Sequence, residues 1–292
     1  MIVSASYRTD IPAFYGDWFA ERRAAGFCTV KNPYGGAPTR VALRGSGVDG
    51  FVFWTRNARP FLPVLETLAG EGVPFVVQYT VTDYPALLET GVPAAAQAVA
   101  CVREIAKRFG PEAVVWRYDP IVVTSATPLE SHRDRFAQLA DALAGSCTEA
   151  VVSFADFYRK TVRNLRVNAP ALTWSDPDAS EKAALTSVLR DTAHARQMIL
   201  TRCTEPDIEV PDIAAAQCID AARLSRIAGH EIVARNKGNR PGCACAESRD
   251  IGAYDTCAHG CLYCYAVRDH TRARAAPAAH DPLAVHLGER RK

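Results

Sequence analysis

The residues most able to do chemistry lie close together, since five of the ten cysteines fall within residues 243–264. Three of them, Cys257, Cys261 and Cys264, follow the spacing Cys-x3-Cys-x2-Cys. Three thiolates on one tight loop can bind three corners of a [4Fe–4S] cube, whereas clusters that only carry electrons normally have four cysteine ligands. The spacing therefore predicts a cluster with one iron open to an exogenous ligand, and Gly260 suits the tight turn around it.

The remaining cysteines of this segment leave alternatives open. Cys243 and Cys245 with Cys261 and Cys264 would make a four-thiolate zinc site, but the first cysteine of the triad would then have no role. Alternatively, Cys243 and Cys245 begin a second, auxiliary iron–sulfur cluster or zinc site, with Cys218 as a candidate third ligand. A redox pair and ordinary thiols are further interpretations. The five scattered cysteines, taken singly, are expected to be small buried hydrophobes: Cys28, Cys101, Cys147, Cys203 and Cys218.

The elements that must position these thiols alternate regularly between strand and helix. Six apolar, β-branched runs, each followed by helical spacing, predict an α/β fold with a parallel sheet. An open doubly wound sheet is one solution, but no glycine-rich phosphate turn follows the first run, which favours a partial (βα)6 TIM-like barrel. The predicted strands are residues 2–6, 51–55, 74–80, 113–119, 149–155 and 198–202, and the predicted helices lie near 12–25, 58–71, 93–109, 129–145, 178–196 and 212–228.

The regular alternation ends near residue 230, which predicts a division of the chain. Residues 1–230 are expected to form the barrel domain, and residues 231–266 a C-terminal cluster-binding segment that closes its mouth. Residues 267–292 are rich in Ala, Arg and Pro, and we expect a flexible tail there.

Polar side chains stand where the predicted strands end, and in βα barrels these ends meet at the mouth that holds the active site. Arg8 and Asp10 follow the first run, and Arg117 and Asp119 end the fourth. We expect these four to be the catalytic or carboxylate-binding groups, although structural ion pairs, and an N-cap role for Asp10, explain them equally well. The third run contributes two expected cofactor-binding residues, Gln78 and Thr80.

The cysteine spacing with an aromatic residue before its last cysteine resembles the signature of the radical S-adenosylmethionine (SAM) superfamily. That resemblance implies that Cys257, Cys261 and Cys264 hold the cluster, that SAM chelates the open iron, and that Tyr263 lies by the adenine. Reductive cleavage of SAM would then give a 5′-deoxyadenosyl radical that abstracts hydrogen from the substrate. His259 is expected to shape the loop rather than to bind the cluster.

The whole chain also resembles an uncharacterised bacterial family with a domain of unknown function. The resemblance rests on "RTDIPAFYG", on "WRYDP" and on the C-terminal cysteine pattern ending in "HGCLYCYA". The spore photoproduct lyase-like branch shares the "YCY" ending. One departure is that the cysteine loop follows the sixth helix, whereas most of the superfamily has it after the first strand. No "GGE"-type motif for the SAM amino group is present.

Composition sets broad limits on function. A formal net charge of +2 with 48% hydrophobic residues predicts a soluble protein, and without a signal sequence or membrane span we expect it in the cytoplasm. Turnover would need a one-electron donor such as a flavodoxin or ferredoxin, and the substrate could be a small molecule, a peptide or a nucleic acid. The alternative is an iron–sulfur or zinc protein that binds or helps to repair nucleic acid without SAM cleavage.

Overall fold

The computed structural model describes residues 1–32, 35–240 and 242–291. Within these residues the strands are β1 (Ile2–Ala5), β2 (Phe27–Val30), β3 (Thr39–Ala42), β4 (Gly50–Thr55), β5 (Phe75–Thr80), β6 (Val114–Ile121), β7 (Glu149–Phe154), β8 (Ile199–Arg202), β9 (Ala214–Ala215) and β10 (Ser248–Asp250). The α-helices are α1 (Ile11–Phe14), α2 (Gly16–Ala24), α3 (Leu62–Gly70), α4 (Ala95–Phe109), α5 (Ser131–Leu143), α6 (Arg159–Asn168), α7 (Ala179–His194), α8 (Ala221–Ala228) and α9 (His270–Ala279).

Eight of the strands form one sheet in the order β10-β1-β4-β5-β6-β7-β8-β9, in which every neighbouring pair is parallel. The predicted α/β class and parallel sheet are therefore confirmed. The predicted count of six strands is wrong, because the edge strands β9 and β10 are too short to stand out as apolar runs. Across the described residues the sheet stays open between these two edges, so strand order alone does not establish a barrel.

The two faces of the sheet differ because side chains alternate along each strand. Val3, Phe51 and Phe53 belong to the main core, where Phe19 of α2 packs against both phenylalanines with ring centroids 5.4 Å apart. On the opposite face, Val52 lies beside Val76, and further along the same strands Trp54 lies beside Gln78. Thr80 in turn lies beside Arg117. This face therefore changes from apolar to polar towards the carboxyl ends of the strands.

Residues 267–291 differ from the predicted flexible tail in having defined contacts. They contain α9, and beyond it the Trp18 indole donates to the Ala284 carbonyl over 2.9 Å. The Thr29 amide donates to the Val285 carbonyl, also over 2.9 Å. The alanine-rich composition that suggested disorder is also a composition that favours helix, and the segment packs on α2 and β2.

Among the helices of the described residues, none is both long enough and apolar enough to cross a membrane.

Candidate metal and cofactor site

A cavity of about 450 Å³ opens at the carboxyl edge of the parallel sheet. Its wall combines residues at the ends of β1, β4, β5, β6 and β7 with residues of the cysteine-rich segment. Cofactor pockets typically enclose roughly 300–1,000 Å³, so a nucleotide-sized molecule fits. The fold thus brings the strand-end side chains and the cysteines to one place.

The three cysteines of the triad, Cys257, Cys261 and Cys264, all line this cavity. Gly260 has φ +72°, and a Cβ atom there would lie 2.2 Å from the Thr90 hydroxyl oxygen. Only glycine accommodates this backbone without displacing its neighbour. Gly260 does not itself line the cavity, so its role is to shape the loop that presents the thiols.

His259 connects the triad loop to the N-terminus of α1 and to Gly91. Its Nε2 lies 2.7 Å from Asp10 Oδ2, and its Nδ1 lies 3.0 Å from the Gly91 carbonyl oxygen. Both partners are acceptors, so a ring nitrogen that carries a proton donates to the partner it faces. The Asp10 carboxylate also accepts two backbone hydrogen bonds: Oδ1 accepts from the Ala13 amide and Oδ2 from the Arg56 amide. In this structure Asp10 caps α1 and positions the loop.

Tyr263 joins a second buried connection between the loop and the sheet. Its hydroxyl contacts both Glu89 and Arg56. Arg56 Nη1 lies 2.8 Å from Glu89 Oε1, and the Thr82 hydroxyl donates to the same oxygen over 2.8 Å. Burial raises the pKa of Tyr263 well above its usual range, so the phenol stays protonated. Although Tyr263 lines the cavity, its hydroxyl is held by this network.

Burial also raises the pKa values of the three triad thiols. It raises the pKa of Cys261 to about 12 and the pKa of Cys257 well above its usual range, where Asp10 and the two other thiols add to the effect. The pKa of Cys264 is raised for the same main reason. Thiols in this environment are neutral at pH 7, and because metals bind the thiolate, loading would release protons.

Arg8 reaches the cavity wall but is tied to the edge strand β10. Its Nε donates to Asp250 Oδ1 over 2.8 Å, and Nη2 donates to the Asp250 carbonyl over 3.1 Å. The Asp250 carboxylate also accepts from the Ser6 hydroxyl and the Tyr7 amide. The guanidinium lies 5.6 Å from the ring centroid of Tyr254. Arg8 thus joins β1 to β10 beside the cavity.

Arg117 points towards a different cysteine. Its Nε donates to Asp119 Oδ2 over 2.9 Å, while Nη1 lies 3.1 Å from Gln78 Oε1 and 2.9 Å from Cys218 Sγ. The Asp119 carboxylate also contacts the Ser153 hydroxyl. Gln78 does not line the cavity, whereas Thr80 does. Of the predicted strand-end residues, Arg117 and Gln78 therefore support the segment around Cys218.

The cysteines of the candidate second metal site also lie close to one cavity. Cys218, Cys243 and Cys245 line the same cavity as the triad. Cys203, which the sequence grouped with the isolated thiols, joins them: its sulfur lies 3.8 Å from that of Cys218. The one sequence feature that points to this contact is that Cys203 directly follows the predicted strand 198–202.

Other residues of the site were missed for different reasons. Arg56 immediately follows the predicted strand 51–55 and is one of the strand-end polar residues expected at the mouth, but its contacts with Glu89 and Tyr263 were not predicted. Glu89 lies outside the named helices and strands, and no spacing connects it to the cysteines. Asp250 lies in the short β10, whose pairing with β1 joins residues far apart in sequence.

A search for single-ion sites gives a negative result for the described ranges: no three Cys, His, Asp or Glu side chains there are grouped so as to hold one metal ion. The chemistry of the donors nevertheless suits an iron–sulfur cluster, because three thiols from one short loop face a common cavity.

Comparison with known proteins gives one match. A protein-family model described as "Domain of unknown function (DUF1848)" matches residues 2–266. No curated protein and no solved structure matches the chain.

Proposed function

Because the chain belongs to the DUF1848 family, whose description assigns no activity, we propose from the site itself that it is a radical SAM enzyme. In this proposal Cys257, Cys261 and Cys264 hold a [4Fe–4S] cluster, and SAM binds in the adjoining cavity. One observation carries the proposal: three thiols with this spacing face a single nucleotide-sized cavity at the carboxyl edge of a parallel sheet. Three cysteines leave a cluster with one position for another ligand.

When bound and reduced, such a cluster supplies one electron to the sulfonium of SAM. The protein's own residues bind and orient the cofactor. Tyr7, Trp54, Tyr254 and Tyr265 line the cavity, and their rings offer flat apolar surface to an adenine. Arg8 also lies in this wall and is 8% exposed. We assign Arg8 to the SAM carboxylate through its positive charge, because its Nε and Nη2 already donate to Asp250.

The hydrogen bonds of the other strand-end residues limit the roles that we propose for them. Asp10 orients the loop through His259, so it is a positioning residue in this proposal. Arg117 and Asp119 pair with each other, and Arg117 contacts Cys218 rather than the triad. Thr80 remains a cofactor-binding candidate. We further propose that the open sheet is a partial barrel around the cavity, and that a cytoplasmic flavodoxin or ferredoxin supplies the electron.

The test is anaerobic reconstitution of the full chain with iron and sulfide, followed by incubation with SAM and dithionite. We expect about four triad-bound irons per chain and formation of 5′-deoxyadenosine. Cys261→Ala should lose both this iron and the product. Cys28→Ala is the matched control, because Cys28 is fully buried in β2 and does not line the cavity; it should retain both.

Two results would contradict the proposal. Iron without SAM cleavage, together with salt-sensitive retention on DNA, would favour the nucleic-acid-binding alternative. Zinc without iron, in a colourless chain, would exclude both iron–sulfur functions.

A further inference from the structure

Four cysteines outside the triad line the same cavity, although they come from three separate segments. Cys203 follows β8, Cys218 follows β9, and Cys243 and Cys245 belong to the segment before β10. All four pack in one cluster on the sheet face opposite the main core, beside Val52 and Val76, and all four line the cavity. This convergence differs from the isolated buried thiols of Cys28 or Cys147.

Direct contacts centre on Cys218. Its sulfur lies 3.8 Å from Cys203 Sγ and its thiol also interacts with that of Cys245. A disulfide would use only two of these sulfurs, whereas more than two thiols converge here. Metal clusters are the common reason for four cysteines to converge in a protein without disulfides.

Two guanidinium groups face these sulfurs. Arg117 Nη1 lies 2.9 Å from Cys218 Sγ, and Arg240 is close enough to Cys203 for the thiol to raise the pKa of the guanidinium. Arg117 is only 3% exposed, and its contacts with Asp119 and Gln78 fix its direction. Arg117 is thus a buried cationic donor to sulfur, whereas Arg240 is 43% exposed and also pairs with Asp156. Both positive charges would stabilise the negative charge of a thiolate-ligated cluster.

The backbone around the four cysteines is held by hydrogen bonds. Gln78 Nε2 donates to the Cys218 carbonyl over 2.9 Å. The Ala246 amide donates to the Ile219 carbonyl over 2.9 Å, which links the Cys218 and Cys245 segments. A Cβ atom on Gly238 would lie 2.2 Å from the Cys243 carbonyl oxygen, so this close approach requires glycine.

We propose that Cys203, Cys218, Cys243 and Cys245 bind a second iron–sulfur cluster through four thiolates, with Arg117 and Arg240 as hydrogen-bond donors to its sulfur ligands. Four cysteines are a complete ligand set for such a cluster, so this site has no position for SAM. It shares no ligand with the triad, and the inference therefore does not depend on the proposed function.

The experiment counts metal rather than activity. The full-length chain carrying Cys257→Ala, Cys261→Ala and Cys264→Ala is reconstituted anaerobically, and its iron, zinc and acid-labile sulfide are measured. We expect about four irons per chain and a brown colour that dithionite bleaches. Adding Cys203→Ala should remove most of this iron. Adding Cys147→Ala should not, because Cys147 is buried against Met198 away from the cavity.

The intact triad provides a control for folding. In the wild-type background, Cys203→Ala should lower the iron content from about eight to about four per chain, and the iron that remains shows that the variant folds. An unchanged iron content in this variant would overturn the assignment of Cys203. A triad-less chain that holds one zinc, or no metal, would overturn the second iron–sulfur site, whether or not the intact protein cleaves SAM.

Discussion

Glu89→Gln tests whether the triad loop is held by a buried ion pair. The Arg56–Glu89 distance is 2.8 Å, and the two side chains are 10% and 3% exposed. Burial alone would lower the pKa of Arg56, but Glu89 and Tyr263 keep it well above its ordinary value. The substitution therefore leaves a charged, buried guanidinium without its carboxylate. Removing one partner of such a pair costs about 3–5 kcal/mol.

The assay is urea unfolding of the metal-free chain under reducing conditions, with the free energy of unfolding as the readout. The matched control is Glu66→Gln, because Glu66 pairs with Arg108 on the surface, with side chains 54% and 36% exposed. Exposed pairs contribute about 0–1 kcal/mol. If Glu89→Gln costs no more than Glu66→Gln, the pair does not hold the loop and the reasoning is refuted.

A double variant separates charge from packing. Arg56→Met with Glu89→Gln removes both charges, and we expect it to recover much of the lost stability, because no unpaired charge remains. An equal or larger loss in the double variant would show that shape, rather than charge compensation, accounts for the effect.

Two further predictions concern stability. Burial lowers the pKa of His132 to about 4, below the value of about 6.5 in the unfolded chain. The stabilisation from keeping this side chain neutral is therefore complete above about pH 6.5 and is lost as the pH falls towards 4. Between pH 7 and pH 5 the free energy of unfolding should fall by about 2 kcal/mol because of His132. In urea unfolding, His132→Asn should reduce the loss of stability over this pH range by that amount. An unchanged dependence of stability on pH in the variant would contradict the prediction. Gly260→Ala should destabilise the loop by more than Gly72→Ala, whose φ of +69° is similar but which has open space around it. Thermal unfolding of the two variants decides this, and equal losses would show that the Thr90 clash is relieved without cost.

The main features of the fold could be predicted from the sequence because buried parallel strands appear as continuous apolar runs. Runs such as "FVFWT" and "PFVVQYT" correspond to β4 and β5. The edge strands β9 and β10 could not be predicted in this way, since two or three residues carry no periodicity. Residues 267–291 were interpreted from composition, which does not show that Trp18 offers them a hydrogen-bonding partner.

The site could be predicted where its residues are neighbours in sequence or stand at the end of a predicted strand, as Arg8, Asp10 and Thr80 do. The triad was found because its spacing is local. The partners of that loop, Asp10, Arg56 and Glu89, lie more than 160 residues away, and only the three-dimensional structure shows these contacts. Cys203 was missed for the same reason, because a lone cysteine has no local pattern.

The pairing of β1 with β10 has a consequence for assembly during synthesis. Ser4 and Asp250 are register partners. One edge of β1 therefore stays unpaired until almost the entire polypeptide has left the ribosome. The supports for the triad lie in the first third of the chain, whereas the thiols are translated late. If the triad holds the proposed cluster, that cluster can be completed only after Cys264 has been translated, late in synthesis. Contacts of such long sequence separation are expected to form slowly.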